Sequence, residues 1–229
     1  MPGKAALWLA FAIVFIGSIV EARNRLVFFP AMPERLPAIR YAALDSNQCL
    51  GELVLRKLPY LPGKASPTID TPVHLTGLLR GVEFRPAAPS DAPPLMDCRL
   101  LLALDDFAAI VKDHGITIVR YRSVYRRGFG RKGQRHPAGV AIDIEEFVKD
   151  DGTTLSVLRD FHKSHIGSAT CGEKAPAAPP GKPRELRELV CAVHQALVFN
   201  LILSPHYDYR HRNHLHLEVR RGTKWFLTQ

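Results

Sequence analysis

The chain has 229 residues, 46% hydrophobic and 8% aromatic, which suits one compact domain with a real core and excludes a disordered chain. Its formal net charge of +9 favours polyanionic partners: nucleic acid, anionic lipid headgroups or anionic cell-wall polymer. No run of five consecutive Lys or Arg occurs, so a dedicated nucleic-acid arm is not expected.

Lys4 precedes an apolar stretch from Ala5 to Val20, and Val20 and Ala22 suit signal-peptidase cleavage after Ala22. The stretch is shorter than the roughly 20 residues that span a bilayer. Residues 1–22 therefore read as a signal peptide, with an uncleaved membrane anchor through residues 5–20 as the alternative. Either way the remainder is exported, to the periplasm or cell envelope, and export argues against nucleic acid as the partner. Residues 23–45 read as a tether with no strong element signal, and residues 46–229 as the domain.

From Cys49 to Asp97 the chain is Pro-rich and loop-like, with short apolar runs at Leu53-Val-Leu55 and Val82-Glu-Phe84 and a surface loop from Pro86 to Pro94. Asp97 is placed as an N-cap. Leu100, Leu101, Leu104, Phe107, Ala108 and Val111 follow at helical spacing, and Gly115 is a natural stop. Ile116 to Arg122 is β-branched and predicts a strand; Ser123 to Arg135 is a basic, Gly-containing loop. Val140-Ala-Ile-Asp-Ile144 alternates as a strand, with Asp143 on the face opposite Val140, Ile142 and Ile144. Asp151-Gly152 signals a hairpin that returns Thr153 to Val157 antiparallel. His162-Lys-Ser-His165 reads as a polar helix face, a second ion being the weaker alternative. Lys174 to Pro183 is Ala/Pro-rich and reads as a mobile excursion. Pro183 then opens a helix with Leu186, Leu189, Val190, Val193 and Leu197 on one side. The last strand runs from His214 to Val219, with His214, His216 and Glu218 on one face and Leu215, Leu217 and Val219 on the other. The pattern predicts an α+β fold in which a small antiparallel sheet carries the site and packs with helices.

Cys49, Cys98, Cys171 and Cys191 contain no Cys-x-x-Cys pair, and in an oxidising compartment they read as two disulfides. Pairing of sequence neighbours is preferred among three connectivities; a zinc site built from the four fits no compact ligand spacing.

The chemistry gathers in two clusters, Arg135-His-Pro-Ala-Gly-Val-Ala-Ile-Asp143 and His211-Arg-Asn-His214-Leu-His216. Two imidazoles and a carboxylate fill three corners of a tetrahedron and leave the fourth to water, as in catalytic zinc sites. His136 lies an odd number of residues before Asp143, so a straight strand would turn it to the wrong face. Pro137 and Gly139 supply the bend that brings it round.

His136-Pro-Ala-Gly139-Val-Ala141-Ile-Asp143 resembles the His-x-x-Gly-x-Ala-x-Asp motif of D-Ala-D-Ala metallopeptidases, whose fold is shared with the hedgehog signalling domain. His211-x-x-His214-x-His216 is similar to the closing motif of that superfamily's murein endopeptidases. Cys98 before an amphipathic helix, the Ser123-Val-Tyr125-Arg126 loop and Cys191 late in a helix further resemble the bacterial extensin-like C-terminal domain. The resemblance extends over roughly Cys49 to Val219. It implies Zn2+ held by His136, Asp143 and His216, with His214 as a second imidazole beside the open corner and His211 as an outer member that orients or protonates. It places Arg126 where a substrate carboxylate is held, a role that suits a guanidinium able to grip both oxygens. Gln134 departs from the Ser that many relatives carry. Asn213 stands where relatives with a Glu-x-x-His closing motif have a catalytic Glu, so a general base must come from His214, His211 or Glu218.

The expected function is zinc-dependent hydrolysis of an amide bond in peptidoglycan peptide, with a D-amino acid in the linkage, as a carboxypeptidase or an endopeptidase. The alternative is a zinc-containing module that docks on wall peptide without cutting it. The basic loop, Arg120 through Arg126, Arg127, Arg131, Lys132 and Arg135, reads as a solvated face or as a patch for anionic wall polymer.

Overall fold

The computed structural model describes residues 18–22, 25–89, 92–126 and 135–229. In chain order the elements are β1 (Ser18–Ala22), β2 (Arg25–Phe29), α1 (Pro37–Ala43), α2 (Ser46–Leu55), β3 (Tyr60–Pro62), β4 (Pro72–Leu75), β5 (Glu83–Pro86), β6 (Leu95–Asp97), α3 (Cys98–Asp113), β7 (Ile116–Ser123), β8 (Ala141–Lys149), β9 (Thr154–Ser156), α4 (Val157–Asp160), α5 (Lys182–Gln195), β10 (Leu201–Leu203), β11 (Leu215–Glu218) and β12 (Phe226–Thr228). The fold is mixed α+β.

Its main sheet is larger than the alternating segments alone suggest. Nine strands run in the order β1-β2-β12-β10-β11-β8-β7-β5, with β9 branching onto β8. Pairs β5·β7 and β10·β12 are parallel, so the sheet is mixed and not purely antiparallel. β8 is the central strand. One edge pairs with β7, while the other pairs with β11 over its first half and with β9 over its second. The Asp151-Gly152 turn makes the β8–β9 hairpin as expected, with Gly152 at φ 83°. A second, three-stranded antiparallel sheet has the order β3-β4-β6.

Alternation decides which face packs against the helices. Ile142 and Ile144 of β8 and Leu215 and Leu217 of β11 enter one hydrophobic cluster with Leu101, Leu104, Phe107 and Val111 of α3 and Leu186, Leu189, Val190 and Val193 of α5. Asp97 caps α3 through a hydrogen bond from the Arg99 amide, and Gly115, at φ 77°, follows its end. Pro183 sits in the first turn of α5, where its missing N–H costs nothing. Leu197, expected on the apolar side of α5, lies just beyond the helix at φ 53° and packs against Ala38 and Phe226.

Four stretches differ from the expectation. Residues 23–45, read as a tether, contain β2 and α1, and α1 buries Ala38, Ile39, Tyr41 and Ala42. The Pro-rich stretch from Cys49 to Asp97, read as loop-like, begins inside α2 and then holds four strands of only three or four residues, three of them containing proline, which is why no alternation was legible there. His162 and His165 lie after α4 ends, in irregular chain, so they form no helix face. The Ala/Pro-rich excursion is anchored: Ala178 is buried and the Pro176 carbonyl accepts a hydrogen bond from Arg187.

Most of the apolar N-terminal segment lies outside the described residues; its last part belongs to β1, which pairs with β2. No helix among the described residues is long and apolar enough to cross a membrane.

Both disulfides join sequence neighbours, Cys49–Cys98 and Cys171–Cys191. Cys49–Cys98 ties α2 to the first residue of α3 and closes the longer loop, a separation of 49 residues. Replacing both cysteines by serine should lower the unfolding free energy by about 2–4 kcal/mol. Denaturant unfolding of the double variant, compared with Cys171→Ser/Cys191→Ser, checks this; the longer loop should cost more.

Candidate metal centre

Antiparallel pairing sets Asp143 of β8 directly opposite His216 of β11. Both side chains point away from the helices, because their neighbours Ile142, Ile144, Leu215 and Leu217 occupy the core face. His136 arrives from a short 3-10 turn, His136–Ala138, that has Pro137 in its first turn and ends on Gly139 at φ 67°. Gly139 has no room for a side chain: a Cβ there would lie 2.8 Å from the Asp97 backbone nitrogen. That nitrogen donates a hydrogen bond to the Gly139 carbonyl, so the turn is pinned to the N-terminus of α3.

The ligand atoms of His136, Asp143 and His216 all lie within 4.8 Å of one another, and all three residues are buried. Asp143 Oδ1 is 3.1 Å from His136 Nε2 and 2.9 Å from His216 Nδ1. Each imidazole is oriented from behind. His136 Nδ1–H donates to the Val124 carbonyl at 2.6 Å, and His216 Nε2–H donates to Glu218 Oε2 at 3.3 Å. The nitrogens facing Asp143 are therefore the lone-pair ends. Outward N–H groups tied to fixed oxygens are how metal-ligating imidazoles are held, so this donor set fits a metal ion.

Electrostatics agree. Burial alone would raise the Asp143 carboxyl, but its polar and charged surroundings outweigh it and hold the group well below the usual carboxylate range. Ser123 Oγ donates to Asp143 Oδ2 at 2.8 Å, and Arg126 Nη2 lies 3.3 Å from the same oxygen. Burial also opposes ionisation of Glu218, yet bonds from His216 and Arg220 bring it down to about 2. Glu218 is fully buried and fully engaged: Oε1 accepts from the Arg135 amide and Arg220 Nε, both at 3.0 Å, and Oε2 from Arg220 Nη2 and His216. It is a positioning group with no lone pair left for a substrate proton.

His214 and His211 flank the cluster. His214 Nε2 is 3.5 Å from Asp143 Oδ1, and burial pulls its pKa down to about 4 despite the Asp143 charge, so the ring is neutral at neutral pH. His211 is 5.0 Å from His214 between ring centroids. Its Nδ1–H donates to Asp208 Oδ1 at 2.7 Å, which leaves Nε2 as the acceptor. Burial pushes the Asp208 carboxyl up, but its bond with His211 prevails and the group stays ionised below the usual range. Nothing in the sequence spacing pointed to the Asp208–His211 pair, although Asp208 lies only three residues away.

These groups open into a cleft of about 770 Å³ floored by Leu201, Leu203 and Leu227. Arg122, Arg126, Arg135, Arg210 and Arg220 line it, giving it a basic rim. Arg126 is more than half exposed there while touching Asp143. Arg127, Arg131, Lys132 and Gln134 of the basic loop lie outside the described residues.

No match to a curated protein or to a solved structure is found. The family model for the extensin-like protein C-terminus matches residues 51–228, which span the second sheet, α3, α5 and every residue of the cluster. The chain therefore belongs to the extensin-like protein C-terminus family.

Proposed function

We propose that the protein is an exported zinc-dependent hydrolase that cuts an amide bond in the peptide of cell-wall peptidoglycan, at a linkage containing a D-amino acid. The observation that carries this reading is the convergence of His136, Asp143 and His216 beside two further imidazoles, His211 and His214, in one cleft. The resemblance of the two motifs to D-Ala-D-Ala metallopeptidases supplies the substrate class and the related fold.

His136, Asp143 and His216 would hold the zinc, which would supply a water acidified to a pKa of about 7 and polarise the scissile carbonyl. His211, backed by Asp208, is oriented to accept a proton at Nε2 and return it to the leaving amine. His214, neutral and with its Nε2 beside Asp143, would be the partner for charge developing on the carbonyl oxygen. Arg126 at the rim offers its guanidinium to a substrate carboxylate. Glu218 takes no proton; it holds His216.

A digest of purified muropeptides followed by mass spectrometry tests the reading. New amine and carboxylate ends that vanish with chelator and return with Zn2+ are expected. Zinc-dependent binding to wall peptide without products would instead identify a docking module. His216→Ala should lose both zinc and activity. His211→Ala and His214→Ala should keep stoichiometric zinc and lose roughly 10²–10⁴-fold in turnover; metal analysis beside kcat separates the two classes, and full turnover in His211→Ala would end its assignment as base.

A further inference from the structure

The Asn213 side chain lies between Arg122 and His214, and the two neighbours make opposite demands. A guanidinium only donates hydrogen bonds. The amide oxygen must therefore face Arg122, where it accepts from Nη2 at 2.8 Å and Nη1 at 3.2 Å. The amide nitrogen then faces His214 Nδ1 at 3.0 Å. The reverse orientation would aim the NH2 group at the guanidinium, donor against donor, and Arg122 has no acceptor to offer it.

An amide NH2 has no lone pair to offer, so Nδ1 of His214 must be the acceptor and the ring proton must sit on Nε2. That nitrogen is the one 3.5 Å from Asp143 Oδ1. Arg122 is itself held by Glu145, whose Oε1 accepts from its Nε at 2.6 Å. The contact thus runs from Glu145 on β8 through Arg122 on β7 and Asn213 to the ring whose Nε2 lies beside Asp143.

We propose that Arg122 and Asn213 are positioning residues that lock His214 in the Nε2–H tautomer, so that His214 serves as a hydrogen-bond donor toward the reacting carbonyl and proton acceptance falls to His211. The second half rests on the hydrolase reading; the tautomer itself does not. It also gives Asn213 a task at the place where a carboxylate would have demanded the opposite: an acceptor beside Nδ1 would draw the proton there.

Long-range 1H–15N correlation on 15N-labelled full chain reads which ring nitrogen of His214 carries the proton, in zinc-free and zinc-loaded protein. The wild type should show Nε2 protonated and Nδ1 bare in both. Asn213→Asp keeps the contact with Arg122 but replaces the donor by a carboxylate, and should put a proton on Nδ1. A wild-type proton on Nδ1, or a bare Nδ1 in Asn213→Asp, overturns the lock. Asn213→Leu removes the amide at similar volume, and kcat should fall about 10- to 100-fold at unchanged KM and zinc content, short of losing a donor outright. Unchanged kcat in that variant overturns the positioning role. If the wild type has the expected tautomer but hydrolyses no muropeptide, the hydrolase reading fails while the lock stands.

Discussion

The register between β8 and β11 is the constraint on which the rest of the centre depends. Asp143 faces His216 across the pair because Ile142 faces Leu217 and Ile144 faces Leu215. Burying each of those four side chains contributes about 1.5–3 kcal/mol, and a slip of one residue would turn all of them outward and put a carboxylate into the core. Hydrophobic burial beneath the sheet therefore fixes the geometry of the candidate ligands above it. The same logic explains why the site needs no long loop to hold two of the three candidate ligands.

Taking a carboxylate and several imidazoles out of water is costly unless every remaining lone pair and proton finds a partner. Here much of that demand is met. Asp143 Oδ2 accepts from Ser123 and Arg126, while Oδ1 faces the inner nitrogens of His136 and His216, the arrangement a shared cation would complete. Glu218 is a hub that joins β11 to the backbone of Arg135, one residue before His136, and to Arg220. It couples the orientation of His216 to the conformation of the turn that delivers His136. That turn begins at Arg135 with φ 59°, a left-handed conformation unfavourable for a side-chain-bearing residue. The Arg135 amide bonded to Glu218 helps to stabilise it.

The far end of the turn is braced by the N-terminus of α3. Gly139 packs against the Asp97 backbone; the Asp97 carboxylate accepts from the amides of Thr71 and Arg99 and from the Arg99 guanidinium; and Cys98 is bridged to α2. The second sheet thus contributes no ligand but anchors the helix whose capping residue supports the His136 turn. A buried Arg99, which also donates to the Leu44 carbonyl, extends this brace to the segment between α1 and α2.

How much of this was legible in the chain follows from the range of each interaction. Period-two alternation in β8 and β11, the Asp97 cap, the Asp-Gly hairpin and the Pro–Gly bend after His136 are local, so residue order alone determined them; the convergence of His136, Asp143 and His216 was expected only through the resemblance of the two motifs, because it needs β8 paired with β11. Strands such as β3 and β4 escaped notice because they are short and contain proline, and α1 because its apolar face acquires meaning only against α3 and β12. The division of labour among the outer residues was not local at all. Glu218 reads as a candidate base until Arg135 and Arg220 are seen to occupy its oxygens, and Asn213 reads as a missing catalytic carboxylate until Arg122, ninety-one positions earlier in the chain, is found against it. Residue order determined which groups could bind a metal ion. Only the tertiary structure decided which nitrogen of each ring holds its proton, because that depends on hydrogen-bond partners brought in from distant strands.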